Sequence, residues 1–287
     1  MTNLPNSLNN QSTLNYCINK AIPDGSNLYY ATLFDKKNKN RIITLHALLN
    51  ELSDIIYECS DPGVARIKFK WWQEEILRLK EQQPRHPVTK QLNENHEWKE
   101  ESLEILLRAI ASFEQFIFLE QPDTLTTILP IFKTSYGSIW RLYAIQSGIN
   151  NIELLNAVEE MGALNHFLNC LQQPYTYITE SRCIIPVSYI KHSTLLDLRF
   201  NKTNPTLEQH NVIKQLLHDL TTQLQETYQT LSNNNQACFR YALISNKLAT
   251  KTAHEMIQEG LNLLNNSIGL TPIHKLWIAW RTDLSLR

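Results

Sequence analysis

Glycine is scarce, with seven in 287 residues, against the roughly 7% of an average protein. Few positions can take up left-handed backbone, which argues against glycine-rich phosphate loops and tight-turned β architectures. Neither sign of charge is in excess: 27 Lys+Arg face 28 Asp+Glu, a formal net charge of −1. The chain as a whole therefore lacks the electrostatic footprint of a nucleic-acid partner. No apolar run reaches the roughly 18 residues that a membrane-crossing helix needs. The five cysteines, Cys17, Cys59, Cys170, Cys183 and Cys238, are odd in number and none forms a CxxC pair. They read as ordinary thiols of a reducing compartment, with neither a disulfide framework nor a zinc site. The opening MTNLPNSLNNQSTLNY has no basic segment followed by an apolar one and no Arg-rich amphipathic pattern. A leader is therefore not expected, and a cytoplasmic location is.

What the chain does have is helical periodicity. Between Asn40 and Cys59, Ile42, Ile43, Leu45, Leu48, Leu49, Leu52, Ile55 and Ile56 recur at spacings that place them on one helix face. Asp61-Pro62 then supplies a favoured cap and a favoured first residue for a second helix, GVARIKFKWWQEEILRLKEQQ, which Pro84 and Pro87 end. HPVTKQL gives a short helix and WKEESLEILLRAIASFEQF a longer one. The stretch DTLTTILPIFKTSYGSIWRLYAIQSG predicts a helix kinked near Pro130. NIELLNAVEEMGALNHFLNCLQQ follows, capped at Asn150 or Asn151. Further helices are predicted from Pro205 to Leu231, Ala237 to Ala249, Thr252 to Leu264 and Pro272 to Leu284. No strand-like alternation appears, and no composition break marks a domain boundary. The expectation is one all-α domain over 1–287 with about ten helices and a flexible start at 1–12. The aperiodic stretch 173–186 is a long loop, and such loops are often functional.

Several segments together resemble the squalene/phytoene synthase family of head-to-head prenyl diphosphate synthases. They are LYYATLF at 28–34, ITLHALLNELSDIIYE at 43–58, VARIKFKWWQEEILRL at 64–79, HPVTKQL at 86–92, LNHFLNCLQQ at 164–173 and SRCIIP at 181–186. Their order and spacing match the family over roughly residues 15–190, and the C-terminal third matches as further helices. The resemblance implies an isoprenoid-synthase-like bundle around a central cavity. It also implies magnesium held by two aspartate-rich motifs, because metal must neutralise each substrate's diphosphate and draw it away as the carbocation forms. Here the motif aspartates fall on Ser53 and Tyr57, and on Gln173 and Tyr177; the arginine of the second motif falls on Gln172. Pro174 stands within the helix expected to carry that second motif and would break it. Tyr30, Asn169 and Arg182 are the residues the resemblance retains for substrate binding. Of the family's segment before the kinked helix, only Gly137 and Ser138 are recognisable. This pattern resembles the non-catalytic branch of mitochondrial complex I assembly factors, as does the C-terminal PIHKLWIAWR. The absence of a transit peptide fits a bacterial relative.

Two readings follow. In the first, prenyl transfer is lost, no catalytic residue or cofactor is expected, and the cavity holds an isoprenoid or quinone-like lipid beside a respiratory-complex protein partner. Contact with the inner membrane is peripheral at most, and nucleic acid plays no part. In the second, the chain is an active prenyltransferase that recruits Asp54 and Glu58 for Mg2+. Those two carboxylates are spaced for one helix face. They sit about 100° around the helix from the family's ligand positions, which suits a solvated or ion-paired face. Trp71 and Trp72 read as packing residues. Glu74 and Glu75 read as a solvated face near Lys70 and Arg78, Glu159-Glu160 as surface, and His166 as a packed, hydrogen-bonded histidine near the cavity.

Overall fold

The computed structural model describes residues 6–23, 25–95, 98–119, 121–172, 178–179, 182–190, 207–234, 237–258 and 269–287. Twelve α-helices of six residues or more run through them: α1 (Asn6–Ala21), α2 (Asn27–Thr32), α3 (Lys39–Glu58), α4 (Pro62–Lys80), α5 (Pro87–Asn95), α6 (Glu100–Gln115), α7 (Leu125–Phe132), α8 (Ser138–Gln146), α9 (Ile152–Gln172), α10 (Leu207–Ser232), α11 (Arg240–Gln258) and α12 (Pro272–Ser285). The predicted apolar face of α3 is the buried one, from Ile42 to Ile56. The Asp61 carboxylate accepts the Gly63 and Val64 N–H groups at 2.6 and 3.0 Å, capping α4 where Pro62 begins it. Asn151 caps α9, its side-chain oxygen accepting the Leu154 N–H at 3.2 Å.

Helix α9 is the axis of the bundle. Leu154, Leu155, Val158, Met161, Leu164, Phe167, Leu168 and Leu171 are buried all round it, as for a helix enclosed on every side. Helices α8, α10 and α11 pack against it. Two glycines permit the closest approaches. A Cβ on Gly137 would lie 2.3 Å from the Glu159 carbonyl oxygen, and one on Gly162 would meet the Trp140 ring at 2.7 Å. Pro130 has no N–H to give the helix ladder. Downstream of it, α7 passes into a π-helical turn, Lys133–Gly137, before α8 resumes. The kink predicted at Pro130 is thus a change of helix type, and the wider turn carries Tyr136 inward, where it is 1% exposed. A second, smaller core joins α2, α11 and α12 through Tyr30, Ala31, Ile244, Leu248, Ile278 and Ala279.

One expectation is corrected, and two others gain detail. Residues 6–12, expected as a flexible start, fall within α1, a helix that packs on α3 and α5 with Cys17 and Ala21 buried and the Thr13 hydroxyl on Gln91 at 2.8 Å. The helices expected at 237–249 and 252–264 are one helix through Gln258. No break is needed, since the Thr252 hydroxyl is satisfied within the helix by the Leu248 carbonyl at 2.8 Å; residues 259–268 lie outside the described ones. The 173–186 loop contains a two-residue antiparallel ladder, Ile178 opposite Cys183 and Thr179 opposite Arg182. Backbone bonds then tie its far end to the chain before α7, Val187 N–H to the Pro122 carbonyl at 2.8 Å and Ser188 N–H to that of Asp123 at 2.9 Å.

Candidate functional site

Helices α3, α8 and α9 line a half-open cavity of about 550 Å³ with the α1–α2 link, Ser245 of α11 and Lys275 of α12. His46 and Asn50 of α3 face Asn165, His166, Asn169 and Gln172 of α9 across it, with Tyr136 and Trp140 between. Among the described residues its lining holds no Asp or Glu, and its one cation is Lys275. That ammonium donates to the Gly25 carbonyl at 2.6 Å, and burial lowers its pKa. Burial also pushes His46 down to about 4. His166 is pushed to about 3 by burial and then by the charge of His46. Both imidazoles are therefore neutral at physiological pH, and the wall presents amides, imidazoles and hydroxyls. Three lining residues bear buried polar atoms without a hydrogen-bond partner among the described residues: Asn27 Oδ1, His46 Nε2 and Gln172 Nε2.

Tyr136 organises one end of this wall. Its ring stacks on His166 with centroids 3.2 Å apart and on Phe132 at 5.6 Å. Its hydroxyl meets the Ser53 hydroxyl at 3.0 Å and that of Tyr57 at 3.3 Å. The two α3 positions singled out from the sequence are thus brought together on a phenol that the sequence reading did not name. The signal was weak: Tyr136 precedes the recognisable Gly137-Ser138 by one residue. Gln173 and Tyr177 lie outside the described residues, as does Pro174. Asn169 is exposed and lines the cavity. Tyr30 is instead buried in the second core, with the Lys275 ammonium 5.9 Å from its ring centre. Arg182 stands in the short ladder, paired through its backbone with Thr179.

Asp54 and Glu58 belong to a different place, an outer groove they share with Lys20, Glu51, Lys68, Trp71, Trp72 and His86. Asp54 accepts from the Lys20 ammonium at 2.5 Å, and Glu51 from the Tyr16 hydroxyl at 2.6 Å. Burial alone would lower the Lys20 pKa, but its bond to Asp54 and the charge of Glu51 raise it. No group of three or more His, Cys, Asp or Glu able to hold a metal occurs among the described residues. The donors that the described residues place in the cavity are amides, hydroxyls and imidazoles, a set that does not suit magnesium.

Two packing expectations change here. Trp72 is buried, but Trp71 is 40% exposed at the groove. Glu75 is no solvated residue: it is wholly buried. Its carboxylate accepts from Arg85 N–H at 2.6 Å, His86 N–H at 2.8 Å, the Thr89 hydroxyl at 2.5 Å and Arg78 Nε at 2.7 Å. Burial alone would raise its pKa, and these four donors lower it. Glu74 remains exposed, 3.8 Å from Arg78. Glu159 and Glu160 are half-buried and paired, with Arg141 at 3.3 Å and Lys133 at 2.9 Å.

An all-helical bundle with a cavity between α3 and α9 is the isoprenoid-synthase-like architecture, and solved structures share it. A dehydrosqualene synthase in complex with ligand superposes with a TM-score of 0.78 over 97% of this chain and 98% of its own, at 12% identity. The squalene synthase HpnC from Alicyclobacillus acidocaldarius gives 0.69 over 88% and 96%, at 15% identity. No curated protein matches the chain significantly by sequence. The squalene/phytoene synthase family model matches residues 23–275. The chain belongs to the squalene/phytoene synthase family, whose members are of the prenyltransferase type, and the match carries the resemblance well past residue 190. None of the helices among the described residues is long and apolar enough to cross a membrane.

Proposed function

We propose that this family member has lost diphosphate-dependent prenyl transfer and uses the cavity to hold a neutral isoprenoid or quinone-like lipid. The observation that carries the reading is the charge of the cavity wall: among the described residues it has no carboxylate and one cation, already bonded to a carbonyl. Holding a diphosphate there would strip charge from water with little to compensate it. The resemblance puts Ser53 and Tyr57 at aspartate positions, and their hydroxyls are engaged by Tyr136. Asn27, His46 and Gln172 offer unpartnered acceptor and donor atoms suited to a carbonyl or hydroxyl head group. The active-enzyme reading draws on family membership, but its candidate ligand Asp54 is bound to Lys20 in the outer groove. An assembly role beside a respiratory complex would add a protein partner without altering the cavity chemistry.

Calorimetry with farnesyl diphosphate, with and without magnesium, followed by a product assay, tests the proposal. The expected result is no metal-dependent binding and no turnover, while a short-tailed quinone raises the melting temperature. Magnesium-dependent turnover would overturn it.

A further inference from the structure

We propose that α12 seats the protein on the surface of an anionic lipid bilayer through one apolar face. Ile273, Leu276, Trp277, Trp280 and Leu284 are 82, 45, 48, 49 and 45% exposed. Their spacing of three, four and seven residues places them on one side of the helix. The other side, Ile278, Ala279, Thr282 and Asp283, is buried. Five large apolar residues exposed along one 14-residue helix form a patch of the kind that marks an interaction surface.

Charge and side-chain chemistry select a lipid surface as the occupant. The only acid on α12, Asp283, is 0% exposed and is neutralised by Arg240 at 3.0 Å and Arg287 at 2.8 Å. The exposed charged residues of α12 and the residues after it are cationic: Arg281, and Arg287, which also pairs with Asp283. Glu255, whose carboxylate feels His274, is matched by Lys251 at 2.9 Å. An apolar face with a cationic residue, Arg281, at its edge and no exposed acid on its helix complements anionic head groups. Trp277 and Trp280 suit the head-group boundary, where the ring is buried and the indole N–H stays wet. The Arg281 guanidinium lies 5.1 Å from the Trp277 ring centre, at the edge of that face. A helix of 14 residues is too short to span a bilayer and lies in its plane. Lys275, on the same helix, also lines the cavity, so a bilayer under α12 would lie beside the cavity wall. The inference rests on the α12 surface and does not depend on what the cavity binds.

Flotation of the full chain with phosphatidylcholine–phosphatidylglycerol vesicles, and with phosphatidylcholine alone, tests it. The expected result is co-flotation with the anionic vesicles and weaker recovery with the neutral ones. Trp277→Ser with Trp280→Ser should weaken partition about tenfold or more. Ile273→Ser, at the most exposed position, should weaken it without touching the fold, which an unchanged melting curve checks. Failure of the unaltered chain to float, or equal flotation of the variants, would overturn the proposal. So would a concentration-dependent dimer in light scattering that the same variants abolish, since the occupant would then be a second copy.

Discussion

Mild acid should weaken this fold through its cavity histidines. Burial holds His46 at about 4 and His166 at about 3, against about 6.5 in an unfolded chain. The folded state thus binds fewer protons than the unfolded one. The stabilisation from keeping both rings neutral is present above about pH 6.5 and is lost as pH falls through that value toward the folded pKa values. At about pH 5.5 the unfolded chain's protonation costs about 1.4 kcal/mol of stability per ring, or about 3 kcal/mol for the pair. That is a large share of the roughly 5–15 kcal/mol by which a domain of this kind is stable. His86, also lowered by burial, adds to the loss. Asp35 and Glu159, which burial raises, act with the opposite sign. Urea unfolding of the chain and of a His46→Gln/His166→Gln variant at about pH 7.5 and about pH 5.5 isolates the histidine contribution. The unaltered chain should lose about 3 kcal/mol more than the variant between the two conditions. Equal losses in both would refute the neutral-histidine cavity.

Removing the Glu75 carboxylate by Glu75→Ala leaves Arg78 and three further donors without their acceptor, and should cost about 3–5 kcal/mol in urea unfolding. A loss under about 1 kcal/mol would mean that water replaces it. Gly137→Ala forces a methyl against the Glu159 carbonyl and should destabilise by about 1–3 kcal/mol in calorimetry, whereas no change would mean that α9 can yield. Asp54→Asn breaks a partly exposed ion pair and should cost about 0–1 kcal/mol. It should also leave the melting temperature with magnesium and farnesyl diphosphate equal to that without them. A metal-dependent stabilisation that this substitution removes would return Asp54 to a metal-binding role.

The elements written into local spacing were legible. The faces of α3 and α4, the Asp61 cap and the change of helix at Pro130 all follow from positions within a few residues of each other. Features set by distant chain were not. Glu75 looks like its neighbour Glu74, and only the return of the chain at Arg85–Thr89 supplies the donors that bury it. A signal did exist, because Glu75 lies three residues after Trp72 and four before Leu79, both on the buried stripe of α4. Trp71, one position off that stripe, is the tryptophan left at the groove. Tyr136 faces inward because of a π turn, whose five-residue bonding has no apolar period to announce it. The exposed half of α12 could not be told from a buried one, since apolar periodicity marks a face without saying what covers it.

The arrangement of α3 connects these observations to function. One residue step along a helix rotates a side chain by about 100°. That step separates Ser53, at the inner hydroxyl cluster, from Asp54, at the outer ion pair with Lys20. The same helix thus keeps its carboxylates in the outer groove and its uncharged groups inside. Inside, each described element supplies a neutral partner for the next: Tyr57 and Ser53 for Tyr136, and Tyr136 for His166. A wall built on metal-bound carboxylates would need cations to balance it. This one is balanced without them, because its imidazoles are uncharged and its lysine is bonded to a carbonyl. Sensitivity to acid and preference for an uncharged ligand are therefore two results of one property. Protonating His46 or His166 would put charge beside the cavity in a site with no carboxylate among its described residues to receive it, and should expel a neutral ligand only as pH falls to about 4, well below the pH at which the fold begins to weaken.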